Sequence, residues 1–159
     1  MSQPSQRNQL FTDSLNNLNQ TLADFVSLLE EEAVALAAQD ADRLAALLPK
    51  RNAMHGTLAE RWLKLAGLAG AENNPSLTVL REAFFGEQQR PTAAWQQLEQ
   101  LAHASDRLNR VNAKLIDEQM RRTQAALQVL QSTLTSRGVY GANGRVSDMF
   151  KINRSIDSA

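Results

Sequence analysis

The chain contains no cysteine, so disulfides, thiolate metal ligands and cysteine nucleophiles are excluded, and a reducing compartment fits its composition. Aromatic residues are scarce: five Phe, two Trp and one Tyr in 159 residues leave few large rings to anchor a core. Seventeen Lys and Arg balance seventeen Asp and Glu, and that neutrality argues against a surface built to hold a phosphate backbone. No stretch supplies the roughly eighteen apolar residues of a membrane span, and the opening MSQPSQRNQLFTDSL lacks a signal-type hydrophobic segment. A cytoplasmic protein without stable membrane insertion is the expectation. Neither proline nor glycine occurs between Thr92 and Arg137, and there the chain declares its architecture.

Along that run Leu98, Leu101, Leu108, Leu115, Ile116, Met120, Leu127, Leu130 and Leu134 recur at helical spacing. A helix of this length would approach about 70 Å at 1.5 Å per residue, so its apolar stripe needs a long partner. Upstream, Leu15, Leu18, Leu22, Phe25, Leu29, Ala33, Leu36, Leu44 and Leu47 trace a second face, with Asp40 in one of its slots. Residues 1–9 are polar and expected to fray, and Thr12 or Asp13 is placed to cap a start near 13. Pro49 interrupts the pattern, but Met54, Leu58, Trp62 and Leu65 resume it, which favours a kinked long helix over two helices meeting near Leu48. AENNPS stops that arm. Ser76 then caps a short amphipathic element to Phe85, read as a lid over a helical hairpin or as an exposed docking flap. Thr92 caps the last helix, with Trp95 in its first turn.

The expected fold is all-α: arms near 13–70 and 92–137 form a long antiparallel helical hairpin or bundle with a short connecting helix. Residues 1–137 make one helical domain and 138–159 a flexible C-terminal arm. Gly138 ends the last helix, and Gly141 and Gly144 permit bends. Within the arm Val139, Tyr140, Val146, Met149, Phe150, Ile152 and Ile156 are too many apolar residues for a discarded linker. They either pack back on the bundle or become ordered on a partner helix.

Catalytic chemistry finds no constellation. His55 and His103 lie far apart in sequence, and neither belongs to an HExxH motif. Glu30, Glu31 and Glu32 point in different directions on a helix, as a solvated acidic face does. The glycines of YGANG follow a helix and lack the Lys-Ser/Thr of a phosphate loop. Asp117 with Arg121 and Glu118 with Arg122 have favourable i,i+4 order on a solvated face. No catalytic residue, metal ligand or cofactor site is assigned, and the chain is read as a non-enzyme. Asn112 is the exception to a bland helix: it sits in the apolar stripe between Leu108 and Leu115, with Asn109 one turn earlier. A buried amide there must find partners and would fix the alignment of neighbouring helices.

The leucine-rich first helix, Lys50 in its leucine-rich setting, the segment NRVN ending at Asn112, and VYGANG from Val139 to Gly144 together resemble the flagellar export chaperones of the FlgN family. The resemblance spans almost the whole chain. It implies a cytoplasmic, all-helical chaperone of flagellar type III export that masks helical segments of hook–filament junction proteins before secretion. Export-apparatus components would be further partners, and the free chaperone would be a monomer or weak homodimer. Tyr140, Gly141 and Gly144 match the family's terminal motif and Asn109 and Asn112 its asparagine pair, so the resemblance places substrate contact in the C-terminal region. With Val139, Val146, Met149 and Phe150 these tail positions form the expected partner-binding set. The alternatives are a general helical adaptor or a helical enzyme whose site is assembled from residues distant in sequence.

Overall fold

A computed structural model describes residues 3–71, 74–86 and 89–139. Among them are four helices and no strand: α1 (Gln3–Ala38), α2 (Ala41–Ala69), α3 (Leu77–Phe85) and α4 (Ala93–Val139). The chain divides into two compact units, Met1–Ile116 and Asp117–Ala159, with the boundary inside α4.

In the first unit, α1 and α2 form an antiparallel hairpin of their own. Arg7 near the start of α1 donates from Nε to the Leu68 carbonyl at 3.0 Å, while Glu32 near its end meets Arg51 early in α2. Between them Arg61 bridges the helices, donating from Nη1 to the Asn17 carbonyl at 2.5 Å and to the Thr21 hydroxyl. The expected single arm over 13–70 is therefore corrected to two helices that fold against each other. The break does not lie at Pro49, which sits inside α2; it lies at Gln39 and Asp40.

Hydrogen bonds explain that break. Gln39 adopts the left-handed conformation at φ 56°, its N–H donates to Leu36 O at 3.1 Å, and the Asp40 N–H reaches back to Ala35 O at 2.9 Å. This pair of bonds satisfies carbonyls that the end of α1 would otherwise leave unpaired. Asp40 then caps α2, its Oδ1 accepting from Arg43 N at 3.0 Å. A residue that looked like a polar slot in one apolar stripe thus ends one helix and starts the next. At the other terminus α1 begins at Gln3, so residues 3–9 are helical instead of frayed. Thr12 does not cap; its hydroxyl donates to the Asn8 carbonyl one turn back, at 2.9 Å.

Helix α3 closes one end of this hairpin. Ser76 caps it through Val79 N at 3.3 Å, Leu80 is fully buried, and Phe84 stacks on Phe11 of α1. Phe85 meets Trp95 edge-on with ring centroids 5.6 Å apart, which ties α3 to the first turn of α4. Of the two readings of this short helix, the lid is the one realised. Gly70, at φ 71°, provides the left-handed cap that ends α2 before the connection to α3.

The segment of α4 within the first unit runs parallel to α1. Asn19 Nδ2 donates to Ala94 O at 2.7 Å near its start, and Asn112 Nδ2 donates to Leu29 O at 3.1 Å near Ile116. Thr92 caps α4, its Oγ1 accepting from Trp95 N at 3.3 Å. The core has two clusters. Phe11, Leu15, Leu18, Leu65, Leu80, Trp95 and Leu98 fill the lidded end, while Phe25, Leu28, Leu29, Ala35 and Leu47 fill the end near the α1–α2 turn. Few aromatics suffice because most of them gather at the lid.

Candidate partner-binding surface

Among the described residues no group of three or more His, Cys, Asp or Glu is placed to hold a metal ion. His55 packs edge-on against Phe25 with centroids 4.9 Å apart, and His103 is exposed on α4. The three consecutive glutamates diverge: Glu30 is exposed, Glu31 approaches Arg43 at 4.0 Å, and Glu32 turns inward.

Glu32 anchors a polar network that joins three helices. Arg51 Nη1 donates to its two carboxylate oxygens at 2.5 and 2.7 Å, and Arg51 Nη2 donates to Asn109 Oδ1 at 3.0 Å. Asn112, only 1% exposed, gives its amide to both Leu29 O and Glu32 Oε2, the latter at 3.2 Å. Its Oδ1 is buried without a hydrogen-bond partner, as is Oδ1 of Asn19. Opposite charge and the short approach of Nη1 to both carboxylate oxygens make the Arg51–Glu32 pair the strongest polar contact of the set. The paired asparagines were legible in the sequence; Glu32, read there as part of a solvated acidic face, turns inward to the network instead, and Arg51 and Asn19 were not singled out. Their signal is only spatial, since Glu32 and Arg51 are nineteen positions apart and on different helices.

The apolar stripe of α4 changes character along its length. Trp95 is 0% exposed and Leu98 is 2% exposed, whereas Met120, Leu127, Leu130 and Leu134 of the second unit are 57%, 52%, 56% and 54% exposed. Positions 120, 127, 130 and 134, with Thr123 between them, follow the alternating three- and four-residue intervals of a coiled-coil seam. Every side chain from Arg121 to Ser136 is exposed. Asp117 pairs with Arg121 at 2.8 Å on this segment, as their spacing suggested. Scattered apolar residues on a surface need no explanation, but a seam in register does.

A second apolar feature lies wholly in the first unit. Leu18, Leu22, His55, Leu58, Trp62 and Leu98 line an open cavity of about 310 Å3 between helices. Its walls are continuous with the core.

Of the expected partner-binding residues, Val139 is the last residue of α4. Tyr140, Gly141, Gly144, Val146, Met149 and Phe150 lie outside the described residues. No described helix is long and apolar enough to cross a membrane.

The protein-family model described as FlgN protein matches residues 7–148 of the chain. No curated protein and no solved structure matches it.

Proposed function

The chain belongs to the FlgN family, a cytoplasmic and non-catalytic family of chaperones for flagellar export substrates, and from that premise we propose that its clients are hook–filament junction proteins. The client's helical segment lies along the α4 seam of Met120, Leu127, Leu130 and Leu134. That half-exposed stripe in coiled-coil register is the observation that carries the reading. An amphipathic helix of a secreted subunit is its natural complement, because two such stripes exclude water from each other. A subunit held this way cannot use the same face to assemble prematurely. Release requires only a competing surface or unfolding at the export machinery, which makes export-apparatus components the second class of partner.

In this proposal residues 1–137 are the helical domain and the arm at 138–159 is the second half of the clamp. Tyr140 and Val146, with Met149 and Phe150, supply apolar contacts, while Gly141 and Gly144 let the arm bend over the client. Asn109 and Asn112 act within the first unit by fixing the register of α1, α2 and α4. The free chaperone is a monomer or a weak homodimer, since a seam of about two heptads falls short of the roughly 800 Å2 per partner of stable specific interfaces.

Calorimetric titration with the C-terminal helical segment of a junction protein tests this assignment. Truncation after Arg137 is expected to preserve the melting transition and weaken binding at least about tenfold, or roughly 1.4 kcal/mol. Tyr140→Ala is expected to produce part of that loss and Glu31→Ala almost none. Full affinity in the truncated chain would remove the arm from the client site.

A further inference from the structure

The far half of α4 is uncharged as well as uncovered. From Thr123 to Ser136 fourteen consecutive residues include no Asp, Glu, Lys, Arg or His, in a chain that is 21% charged overall. All fourteen are exposed, so burial does not account for the missing charge. Just before this stretch the helix still carries a surface ion pair, Asp117 with Arg121 at 2.8 Å. With Met120, Thr123, Leu127, Leu130 and Leu134 as the seam, its flanking positions are Gln124, Ala126, Gln131 and Thr133, where paired helices ordinarily place the Glu and Lys that choose a partner. The hydroxyls of the stretch are already satisfied. Thr123 donates to Gln119 O, Ser132 and Thr133 to Val129 O, Thr135 to Gln131 O and Ser136 to Thr133 O, at 2.8 to 3.0 Å. A helix laid over them strips no hydroxyl donor of its bond, so this polar surface is cheap to cover.

We infer that this seam is built for an occupant without charged flanks: an amphipathic client helix whose apolar stripe is bordered by Gln, Asn, Ser, Thr or Ala, selected without ion pairs. The inference rests on the client reading above and names the chemistry by which the client is recognised. Gln124 and Gln131 each offer an amide donor and an acceptor to a neutral polar neighbour, but nothing that neutralises a carboxylate or an ammonium. A partner bordered by Glu or Lys gives up part of the hydration of those charges at the contact and gains no counter-charge. A lipid surface is the poorer match, since helices that lie in a headgroup layer bring Lys and Arg on their polar face. A second copy has the same neutral flanks, and its self-association is one of the outcomes tested.

Three designed helices, alike in their leucine stripe but bordered by Gln, by Glu or by Lys at every flanking position, are titrated calorimetrically into the full chain. The Gln-bordered helix is expected to bind at least about threefold more tightly than either charged one, with an affinity that changes less than about twofold between about 0.05 and 0.5 M salt. Gln124→Lys with Gln131→Lys is expected to make the seam prefer the Glu-bordered helix over the Lys-bordered one by at least about fivefold at low salt, a preference that fades as salt rises. Circular dichroism checks that this variant keeps its helix content. A parent chain that already prefers a charged helix by about fivefold, or binds all three equally, overturns the inference. So does concentration-dependent self-association, abolished by Leu130→Asp, that shuts out all three helices, because the occupant is then a second copy. If Leu130→Asp abolishes binding of the Gln-bordered helix while the junction-protein helix ignores that substitution, the client assignment falls and the flank chemistry stands. Failure of all three helices to bind sinks the flank chemistry alone when the junction-protein helix still depends on Leu130, and both readings when it does not.

Discussion

Helix α4 contains two regions of similar sequence character and opposite burial. From Trp95 to Asn112 its inward positions are committed to the first unit: Trp95 and Leu98 fill the lidded core, Ser105 is buried, and Asn112 bonds to α1. From Arg121 to Ser136 no side chain is buried, yet the leucines continue at the same spacing. Periodicity reports that a face seeks a partner. It does not report whether the partner is the same chain, and in a chaperone that distinction separates folding from function.

Substitutions in the two regions sharpen the contrast, beginning with the largest effect. Trp95→Ala removes a fully buried ring that contacts Phe85 and donates from Nε1 to Glu99 at 2.9 Å, so a loss of about 3–5 kcal/mol is expected in denaturant titration. Arg51→Ala leaves the inward Glu32 carboxylate with Asn112 alone. Both side chains of the lost pair retain some solvent contact, which limits the expected cost to about 1–3 kcal/mol. Asp40→Ala, which deletes the α2 cap, is expected to cost about 1 kcal/mol in the same titration, and Asp40→Asn to recover most of it. A Trp95→Ala chain that melted like the parent would place the structural core elsewhere.

Much of the fold is readable from the sequence because its signals are local. The caps at Ser76 and Thr92 and the buried face from Leu15 to Leu36 each rest on residue types within a turn of one another. The turn at Gln39 escaped because its left-handed residue is neither Gly nor Asn, and because Asp40 doubles as a plausible interruption of a continuing stripe. At Pro49 the apolar face that resumes at Met54 pointed to a helix running through the proline, and Pro49 does lie inside α2. Its missing N–H is tolerated within α2, so the residue best known for breaking helices does not break this one. At the polar network the sequence showed Asn112 as an anomaly but could not show Arg51 and Glu32 converging on it, since that requires the hairpin to exist first. The seam was legible as a stripe from Leu98 to Leu134. Where its burial stops was not, because a helical period carries no information about the length of its partner.

Leu130→Asp tests the division of α4 most directly when its melting curve and its affinity for the junction-protein helix are measured on the same preparation. Leu130 is 56% exposed, so the melting free energy is expected to stay within about 0.5 kcal/mol of the parent while client affinity falls at least about tenfold. Unchanged affinity, or a collapse of the melting transition, would contradict the assignment of this half of α4 to the client.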